Sequence, residues 1–328
     1  MDSPGGGEVL SVKTNELGKG SSGTRKALWN RVKRQRYLLL MLAPAFILTF
    51  IFAYVPLGGW ILAFKKFQIG TSIFAGEWTG LLQFKRFFVD GSDFGYLIRN
   101  TLVINFVSVI QNLVVAVIFS VCLSEVRKKS IAKTVQTVTF FPYFISWVIT
   151  YSVVWSLLAV RSGAINQFLI QAGVLRKGIN IMGESQYSWP FMIYLNLWKY
   201  TGYNCIIFLA TISGIPQEQY EAAAIDGASR FGRIWHITIM NLIPTLAILL
   251  IMNSGWIFNS NLEQFFIFTN STNWETMEVL DMYIYKFGLK LLDYPYATAV
   301  GILKTGVSVL LLVFVNWGSK KISGSSIF

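Results

Sequence analysis

Residues 37–64 read YLLLMLAPAFILTFIFAYVPLGGWILAF, and none of these 28 positions carries an Asp, Glu, Lys, Arg or His side chain. The same holds for residues 100–124, with 25 positions, and for residues 134–160, with 27. A helix needs about 20 consecutive apolar residues to cross the hydrocarbon core of a bilayer. Each stretch is long enough, so the sequence predicts membrane-spanning helices.

The composition also indicates a membrane protein. Of the 328 residues, 54% are hydrophobic and only 13% are charged, whereas a soluble domain carries about a quarter charged residues. So few charges cannot cover the surface of a soluble protein of this length, but they suffice where lipid covers most of it. The two cysteines, Cys122 and Cys205, and the single histidine, His236, form no disulfide or metal-binding pattern, so we expect no metal site.

We predict an all-α membrane protein in which six spanning helices form one permease domain, residues 37–318. The first apolar run is longer than the 7–15-residue core of a signal peptide, so we interpret it as a retained helix. Residues 1–36 are a polar tail that we expect to be disordered over 1–24 and basic over 25–36, and residues 319–328 form a short C-terminal tail. The predicted spans are residues 37–57, 101–124, 138–158, 189–214, 242–261 and 296–317.

The basic residues are distributed unequally between the two sides of such a bundle. The two tails and loops 125–134 and 215–236 hold sixteen basic and seven acidic residues, whereas the opposite loops hold ten and nine. Lys and Arg accumulate in cytoplasmic loops, so both termini are predicted to be cytoplasmic. The net charge of +12 is then a topology signal, and it requires no nucleic-acid partner. The basic segment 25–36 is either a positive-inside anchor or a helix on the membrane surface.

One cytoplasmic stretch, residues 213–244, reads SGIPQEQYEAAAIDGASRFGRIWHITIMNLIP. Pro216 stands where a helix can begin, and acidic residues precede Arg230 and Arg233, as the helix dipole favours. Three consecutive alanines give the helix a smooth surface, and Gly227 permits a turn or a close backbone approach. The pattern predicts a short helix, a break and a second helix that returns to the membrane. A plain amphipathic loop helix would share most of these features.

The same stretch resembles the EAA loop of binding-protein-dependent ABC importer permeases. Residues 221–223 are EAA, a glycine follows after three residues, and an isoleucine follows nine residues later. The matching positions are Glu221, Ala222, Ala223, Asp226 and Gly227. The family pattern usually has a proline where this chain has Met240, and Pro244 follows, so the resemblance leaves open where the returning helix bends.

Other segments extend this resemblance over nearly the whole chain. FKRFF at residues 84–88 and RNTLVIN at 99–105 are similar to sugar permeases of the MalF-like family. The run LEQFFIFTNSTNWETMEVLDMYIYKFGL at 262–289, with YATAVGILK at 296–304, is similar to the LplB-type branch. That branch is associated with oligosaccharides and polysaccharides such as alginate and pectin fragments.

The resemblance implies the fold, the location and the partners. It implies a type I (MetI-like) permease fold in the bacterial inner membrane, where segment 217–232 is a coupling helix that docks on a dimeric ABC ATPase. A second homologous permease chain and an extracytoplasmic solute-binding protein complete the assembly. The chain has no GxxxxGK[ST] loop, so we expect a non-catalytic subunit that binds no cofactor itself, with ATP and Mg²⁺ on the partner ATPase.

Candidate substrate-contacting residues cluster in and after the fifth predicted span. Uncharged polar residues there are expected either to contact a sugar or to hydrogen-bond between helices of the two permease chains. Residues at three- and four-residue steps share one helical face, which groups Asn253 and Trp256 with either Asn259 or Ser260. The candidates are Asn253, Trp256, Asn259, Asn261 and Gln264, with Tyr194, Asn196, Tyr203 and Asn204 on the fourth span.

Two lysines and one aromatic stripe complete the set of candidates. Lys199 and Lys304 lie inside predicted spans, where a charge usually faces a cavity or a partner group. They would suit an acidic saccharide, but pairing with carbonyls or with the partner permease is the alternative. Trp147, Tyr151 and Trp155 recur at four-residue steps on the third span, a pattern that is more often helix packing.

Three other functions compete with saccharide import. A secondary transporter would show an inverted repeat and carboxylates in its spans, and neither is evident in this sequence. A membrane-embedded enzyme would need a catalytic cluster, whereas the single histidine lies in a loop. An ABC permease for a non-sugar solute fits every feature except the resemblance of the C-terminal third.

Overall fold

A computed structural model describes residues 35–89 and 93–323 of the chain. The predicted basic tail up to residue 34 and the last five residues lie outside this range. The described part divides into two units, with the boundary between Gly59 and Trp60. In the first unit, helix α1 spans Arg36–Thr49 and continues as a π-helical turn, Phe50–Tyr54. A 3₁₀-helical segment, Val55–Phe64, follows across the boundary between the units.

The second unit is built from helices throughout its described residues. Beyond Phe64 they contain no β-strand, only one isolated bridge between Lys65 and Trp78. The helices are α2 (Leu82–Val89), α3 (Phe94–Ser124), α4 (Lys129–Phe140), α5 (Trp147–Leu158), α6 (Ala164–Gln171), α7 (Ser185–Ser213), α8 (Gln217–Ile225), α9 (Arg230–Arg233), α10 (Met240–Ser254), α11 (Leu262–Phe268), α12 (Trp274–Met277), α13 (Leu280–Tyr285) and α14 (Tyr294–Ser323).

Four helical segments are long and apolar enough to cross a membrane: Arg36–Phe64, Phe94–Ser124, Arg230–Ser254 and Tyr294–Lys321. The fourth predicted span corresponds to α7, whose 29 residues extend about 44 Å at 1.5 Å per residue. Helix α7 is too polar to be counted among the four apolar segments, and it packs along α3. The first residues of the predicted C-terminal tail, 319–323, continue α14, which is helical through Ser323.

The third predicted span is not one helix, which corrects the sequence prediction. Helix α4 and the 3₁₀ turn Phe141–Phe144 end before α5 begins at Trp147, and the two parts meet at an angle of 107°. Ser146 has extended backbone geometry, and its hydroxyl accepts a hydrogen bond from the Ile149 amide at 3.3 Å. A serine in this position is a helix N-cap, so the sequence signal for a second helix lies inside the apolar run.

Close packing of α7 against the end of α4 requires a glycine. A Cβ atom added at Gly202 would lie 2.3 Å from the Thr139 carbonyl oxygen and 2.6 Å from the Phe140 Cα. No side chain fits in that space, so Gly202 allows the two backbones to touch. This contact fixes α4, and therefore the bend at residues 145–146, relative to α7.

Candidate functional site

The structure divides the predicted coupling segment, residues 217–232, into two helices, α8 and α9. α8 ends at Ile225, and Gly227 has a φ of +78°. The Gly227 amide donates to the Ala224 carbonyl at 3.2 Å, and the Ala228 amide donates to the Ala223 carbonyl at 2.8 Å. This pair of bonds is a Schellman motif, in which glycine accommodates the left-handed conformation without steric cost. The turn expected at Gly227 is therefore present.

The predicted coupling segment presents apolar side chains at its surface. Ile225 is 87% exposed and Phe231 is 72% exposed. The five positions of the EAA pattern lie beside them on the same segment, and all are exposed except the half-buried Ala223. Apolar side chains this exposed at the end of a charged helix mark a surface that a partner protein can cover.

Polar contacts attach this exposed segment to the rest of the bundle. The Tyr220 hydroxyl lies 2.9 Å from the Thr238 hydroxyl. The Arg230 guanidinium lies 2.6 Å from the Glu125 carboxylate at the C-terminal end of α3 and also donates to the Glu125 carbonyl at 3.0 Å. These contacts connect α8 to Thr238, in the helical turn before α10, and α9 to the end of α3.

A polar cleft of about 300 Å³ lies between α3, α4, α7 and the end of α10. Its lining is rich in amide and aromatic side chains and includes no charged residue. The lining residues are Asn105, Ser108, Val109, Asn112, Leu113, Tyr143, Asn196, Tyr200, Tyr203, Asn204, Asn253, Trp256 and Asn259.

Aromatic stacking and hydrogen bonds hold this lining in place. The rings of Tyr143 and Tyr203 stack with centroids 4.4 Å apart and an interplanar angle of 8°. The Asn112 amide donates to the Asn196 amide oxygen at 2.7 Å. The Ser108 hydroxyl and the Asn112 amide oxygen are buried and have no hydrogen-bond partner among the described residues. Buried polar atoms without partners are costly, so the hydrogen bonding of this part of the lining is incomplete within the chain.

Several predicted substrate residues lie in this cleft, although not on one helical face as expected. Helix α10 ends at Ser254, so the spacing argument fails beyond that residue. Turn hydrogen bonds, from the Trp256 amide to the Asn253 carbonyl at 3.0 Å and from the Asn259 amide to the Trp256 carbonyl at 2.8 Å, bring these three residues to the cleft instead. The fourth-span candidates Asn196, Tyr203 and Asn204 line it as well.

The sequence prediction missed seven of the lining residues, namely the apolar Val109 and Leu113 and five polar or aromatic residues. Asn105, Ser108 and Asn112 follow one another at three- and four-residue steps on α3, so this helix carries a polar stripe in an otherwise apolar span. This polar stripe could have been recognised in the sequence. Tyr200 lies four residues after Asn196 on α7 and therefore shares its helical face. Tyr143 gave no signal, because its position depends on the bend after α4.

Three other predicted residues lie outside the cleft lining. Tyr194 is exposed on the surface of α7. The Asn261 side chain caps α11 by accepting from the Gln264 amide at 3.1 Å. Gln264 is buried, and its side-chain amide donates to the Met192 carbonyl at 3.4 Å. The side-chain contacts of Asn261 and Gln264 thus serve the local fold.

Lys199 is 5% exposed, and its ammonium group is bonded within the protein rather than in the cleft. It donates to the carbonyl oxygens of Pro142, at 3.3 Å, and of Ile145. It also lies 4.9 Å from the centre of the Trp147 ring. Both carbonyls lie at the bend between α4 and α5, where α-helical hydrogen bonding is interrupted. The Pro142 carbonyl also accepts from the Ile145 amide at 3.2 Å. The structure therefore favours the alternative given in the sequence analysis, in which Lys199 pairs with carbonyl oxygens and does not face a cavity.

Lys304 pairs with a carboxylate that lies outside the predicted spans. Its ammonium group contacts Asp281 Oδ1, and Asp281 Oδ2 accepts from the Ser260 amide at 2.7 Å. The Asn105 amide donates to the Ser260 hydroxyl at 2.9 Å and to the Ile257 carbonyl at 2.8 Å. The ion pair therefore positions the turn that carries Trp256 and Asn259 into the cleft.

Among the described residues, no group of three or more His, Cys, Asp or Glu side chains is arranged to hold a metal ion. Both cysteines are free. The chemistry available at the cleft is hydrogen bonding and aromatic contact.

A bundle of apolar helices that surrounds a polar cleft and presents a short exposed helix is the architecture of a membrane transport subunit. The family model of the binding-protein-dependent transport system inner membrane component matches residues 104–324. The chain belongs to this family, as the resemblance of its EAA loop predicted.

Named relatives and solved structures resemble most of the chain. Protein LplB of Bacillus subtilis is 34% identical over 90% of this chain and 92% of its own length. The polygalacturonan/rhamnogalacturonan transport system permease protein YteP, also of Bacillus subtilis, is 35% identical over 93% of this chain and 94% of its own length. A crystal structure of a bacterial ABC transporter involved in import of the acidic polysaccharide alginate includes a chain 32% identical to this one, with a TM-score of 0.83 over 90% of this chain and 99% of that one.

Proposed function

We propose that this chain is a permease subunit of an ABC importer that carries oligosaccharides across the inner membrane of a bacterium. The observation that carries this proposal is the central cleft, which combines amide side chains with stacked tyrosines and a tryptophan. Amides can donate to and accept from sugar hydroxyls, and aromatic rings cover the C–H faces of a sugar ring. Such a lining orients a ligand through a few polar groups on an apolar wall.

The similarities point to the same class of substrate. One relative is described as a permease for polygalacturonan and rhamnogalacturonan, and one similar structure belongs to an alginate importer. These substrates are acidic, whereas the cleft lining of this chain carries no cation. Any acidic saccharide in this cleft is therefore bound through its hydroxyls and ring faces. Its charge would be recognised elsewhere in the assembly.

We propose that four further subunits surround this chain. A second permease chain completes the pathway, two ATPase subunits bind below, and a solute-binding protein delivers the sugar from outside. A similar structure was solved in complex with an alginate pentasaccharide-bound periplasmic protein, which supports the last of these partners. Both termini and α8 then face the cytoplasm.

The exposed end of α8 suits the coupling role. Ile225 and Phe231 would enter a groove on the ATPase, while Arg230 and Tyr220 transmit movement into the spanning helices. When ATP closes the ATPase dimer, the two coupling helices approach each other and the cleft opens outward. Hydrolysis reverses the movement. This chain performs no hydrolysis itself, so its role is non-catalytic.

The test uses the complete transporter, purified from its native host and reconstituted into vesicles with its binding protein. Uptake of galacturonate oligomers, alginate oligomers and neutral cello-oligosaccharides is measured with ATP inside. The Asn259→Ala variant should slow uptake severalfold, because it removes a side chain of the cleft lining. The control is Gln186→Ala, an exposed residue bonded only to its neighbour Glu184. Uptake of peptides or amino acids with no uptake of any saccharide would refute the proposal.

A second measurement tests the coupling role. Ile225→Ser should lower the stimulation of ATPase activity by the loaded binding protein, because it removes an exposed apolar contact without changing the helix cap. Unchanged stimulation in an intact assembly would place the docking surface elsewhere.

A further inference from the structure

The aromatic stripe on α5 leaves the protein core as it extends away from the bend. Trp147 is 2% exposed and packs in the interior, Tyr151 is half-buried, and Trp155 is 51% exposed. The rings of Tyr151 and Trp155 lie side by side, with centroids 6.0 Å apart and an interplanar angle of 25°. Together they present two neighbouring ring faces, which packing of α5 alone does not require.

These two rings border a second pocket of about 320 Å³, separate in its lining from the central cleft. The rest of the lining combines the apolar side chains of Met182, Ile267 and Phe268 with polar residues from two loops, including Asn180, Asn270 and Thr272. No charged side chain lines the pocket. A surface that faced only lipid would lack these amides and hydroxyls, so the composition of the wall indicates a wet site.

Buried amides hold the polar wall in a fixed shape. Asn166, which is buried, donates to the carbonyls of Leu158 at 3.0 Å and Ile179 at 3.1 Å, and its oxygen accepts from the Ile179 amide at 3.0 Å. Asn273, also buried, donates to the carbonyls of Met182 at 3.1 Å and Phe268 at 3.2 Å. Both loops are thus tied to the bundle, which makes the wall of the pocket preorganised.

Some polar atoms of this wall remain available to a ligand. The Asn270 and Thr272 side chains bond to loop carbonyls, at 3.1 Å to Met182 and at 2.6 Å to Gly183. In contrast, the Asn180 amide nitrogen and the Ser271 hydroxyl donate no hydrogen bond within the described part of the chain. A flat aromatic pair therefore faces free hydrogen-bonding groups across a pocket lined by neutral residues.

We propose that this pocket is a second saccharide subsite, which holds a pyranose ring of an oligomeric substrate against Tyr151 and Trp155 while Asn180 and Ser271 bond its hydroxyls. The proposal rests on the proposed function. Tyr143, in the central cleft, precedes the bend, and Trp155 lies about 12 Å along α5 from its first residue. A single sugar ring therefore cannot fill both sites, and the subsite selects for chain length.

The experiment measures how uptake by the reconstituted transporter depends on oligosaccharide length. The probes are galacturonate, alginate and cello-oligosaccharides of two to six residues, each supplied with saturating loaded binding protein so that delivery is constant. Trp155→Ala should slow uptake of the penta- and hexasaccharides about tenfold, as expected for loss of an aromatic contact, and leave the disaccharides unchanged. Trp155→Phe, which keeps a ring face, should recover most of the rate for long oligomers.

Three results would overturn the subsite. Equal slowing at every chain length would mean that Trp155 acts on the transport cycle, and unchanged rates at every length would mean that the ring contacts no substrate. Loss of the second permease chain on purification of Trp155→Ala would assign the surface to the contact between permeases. Failure of the proposed function appears separately, as absence of saccharide uptake by the unmodified transporter.

Discussion

The ion pair between Lys304 and Asp281 gives the sharpest prediction for stability. Only 11% of the Lys304 side chain and 21% of the Asp281 side chain are exposed. Asp281→Asn leaves the ammonium group buried without an opposite charge. Removing one partner of a buried ion pair costs about 3–5 kcal/mol. Because both groups keep some access to solvent, we expect the lower end, about 3 kcal/mol.

The measurement is the thermal midpoint for loss of monodisperse protein in detergent. Since about 1 kcal/mol corresponds to roughly 2–4 °C in chains of comparable size, Asp281→Asn should lower the midpoint by about 6–12 °C. The double variant Asp281→Leu with Lys304→Met removes both charges together and should recover most of the loss. The control is Arg230→Met, which breaks the exposed pair with Glu125 and should cost less than about 1 kcal/mol.

Two results would refute the reasoning. An Asp281→Asn midpoint equal to that of Arg230→Met would show that solvent already compensates Lys304. A double variant less stable than Asp281→Asn would show that the ion pair, rather than relief of an unpaired charge, dominates. The single variant should also slow uptake, because Asp281 positions the turn at Ser260 that brings Trp256 to the cleft.

Three further substitutions test other parts of the structure. Gly227→Ala places a Cβ at a φ of +78°, which costs about 1–2 kcal/mol, so the stimulation of ATPase activity by the loaded binding protein should fall. Unchanged stimulation would show that this turn tolerates rearrangement. Gly202→Ala forces a clash with the Thr139 carbonyl, so the yield of folded protein should drop sharply, whereas Gly306→Ala, with open space around it, should be neutral. Lys199→Met removes the ammonium donor from the Pro142 and Ile145 carbonyls and should lower the thermal midpoint similarly for empty and sugar-loaded transporter. A change confined to uptake of acidic sugars would instead place Lys199 in the substrate pathway.

The sequence predicted features that depend on local chemistry. Apolar runs of 25 residues or more require lipid, because a soluble fold cannot cover them with charge. The turn after α8 was predictable because Gly227 tolerates a left-handed backbone that other residues adopt only at a cost. The polar stripe on α3, from Asn105 to Asn112, was equally local, and it would have added three residues of the cleft lining to the prediction.

Tertiary structure decided where the charges and the cleft residues went. Lys199 and Lys304 look alike in sequence, as single lysines in apolar helices. One is satisfied by carbonyls at the bend before Trp147, and the other by Asp281 from a loop helix. A buried charge needs a partner within a few ångströms, and only the folded backbone determines which groups lie that close. Sequence spacing therefore located the lysines, and packing assigned their partners.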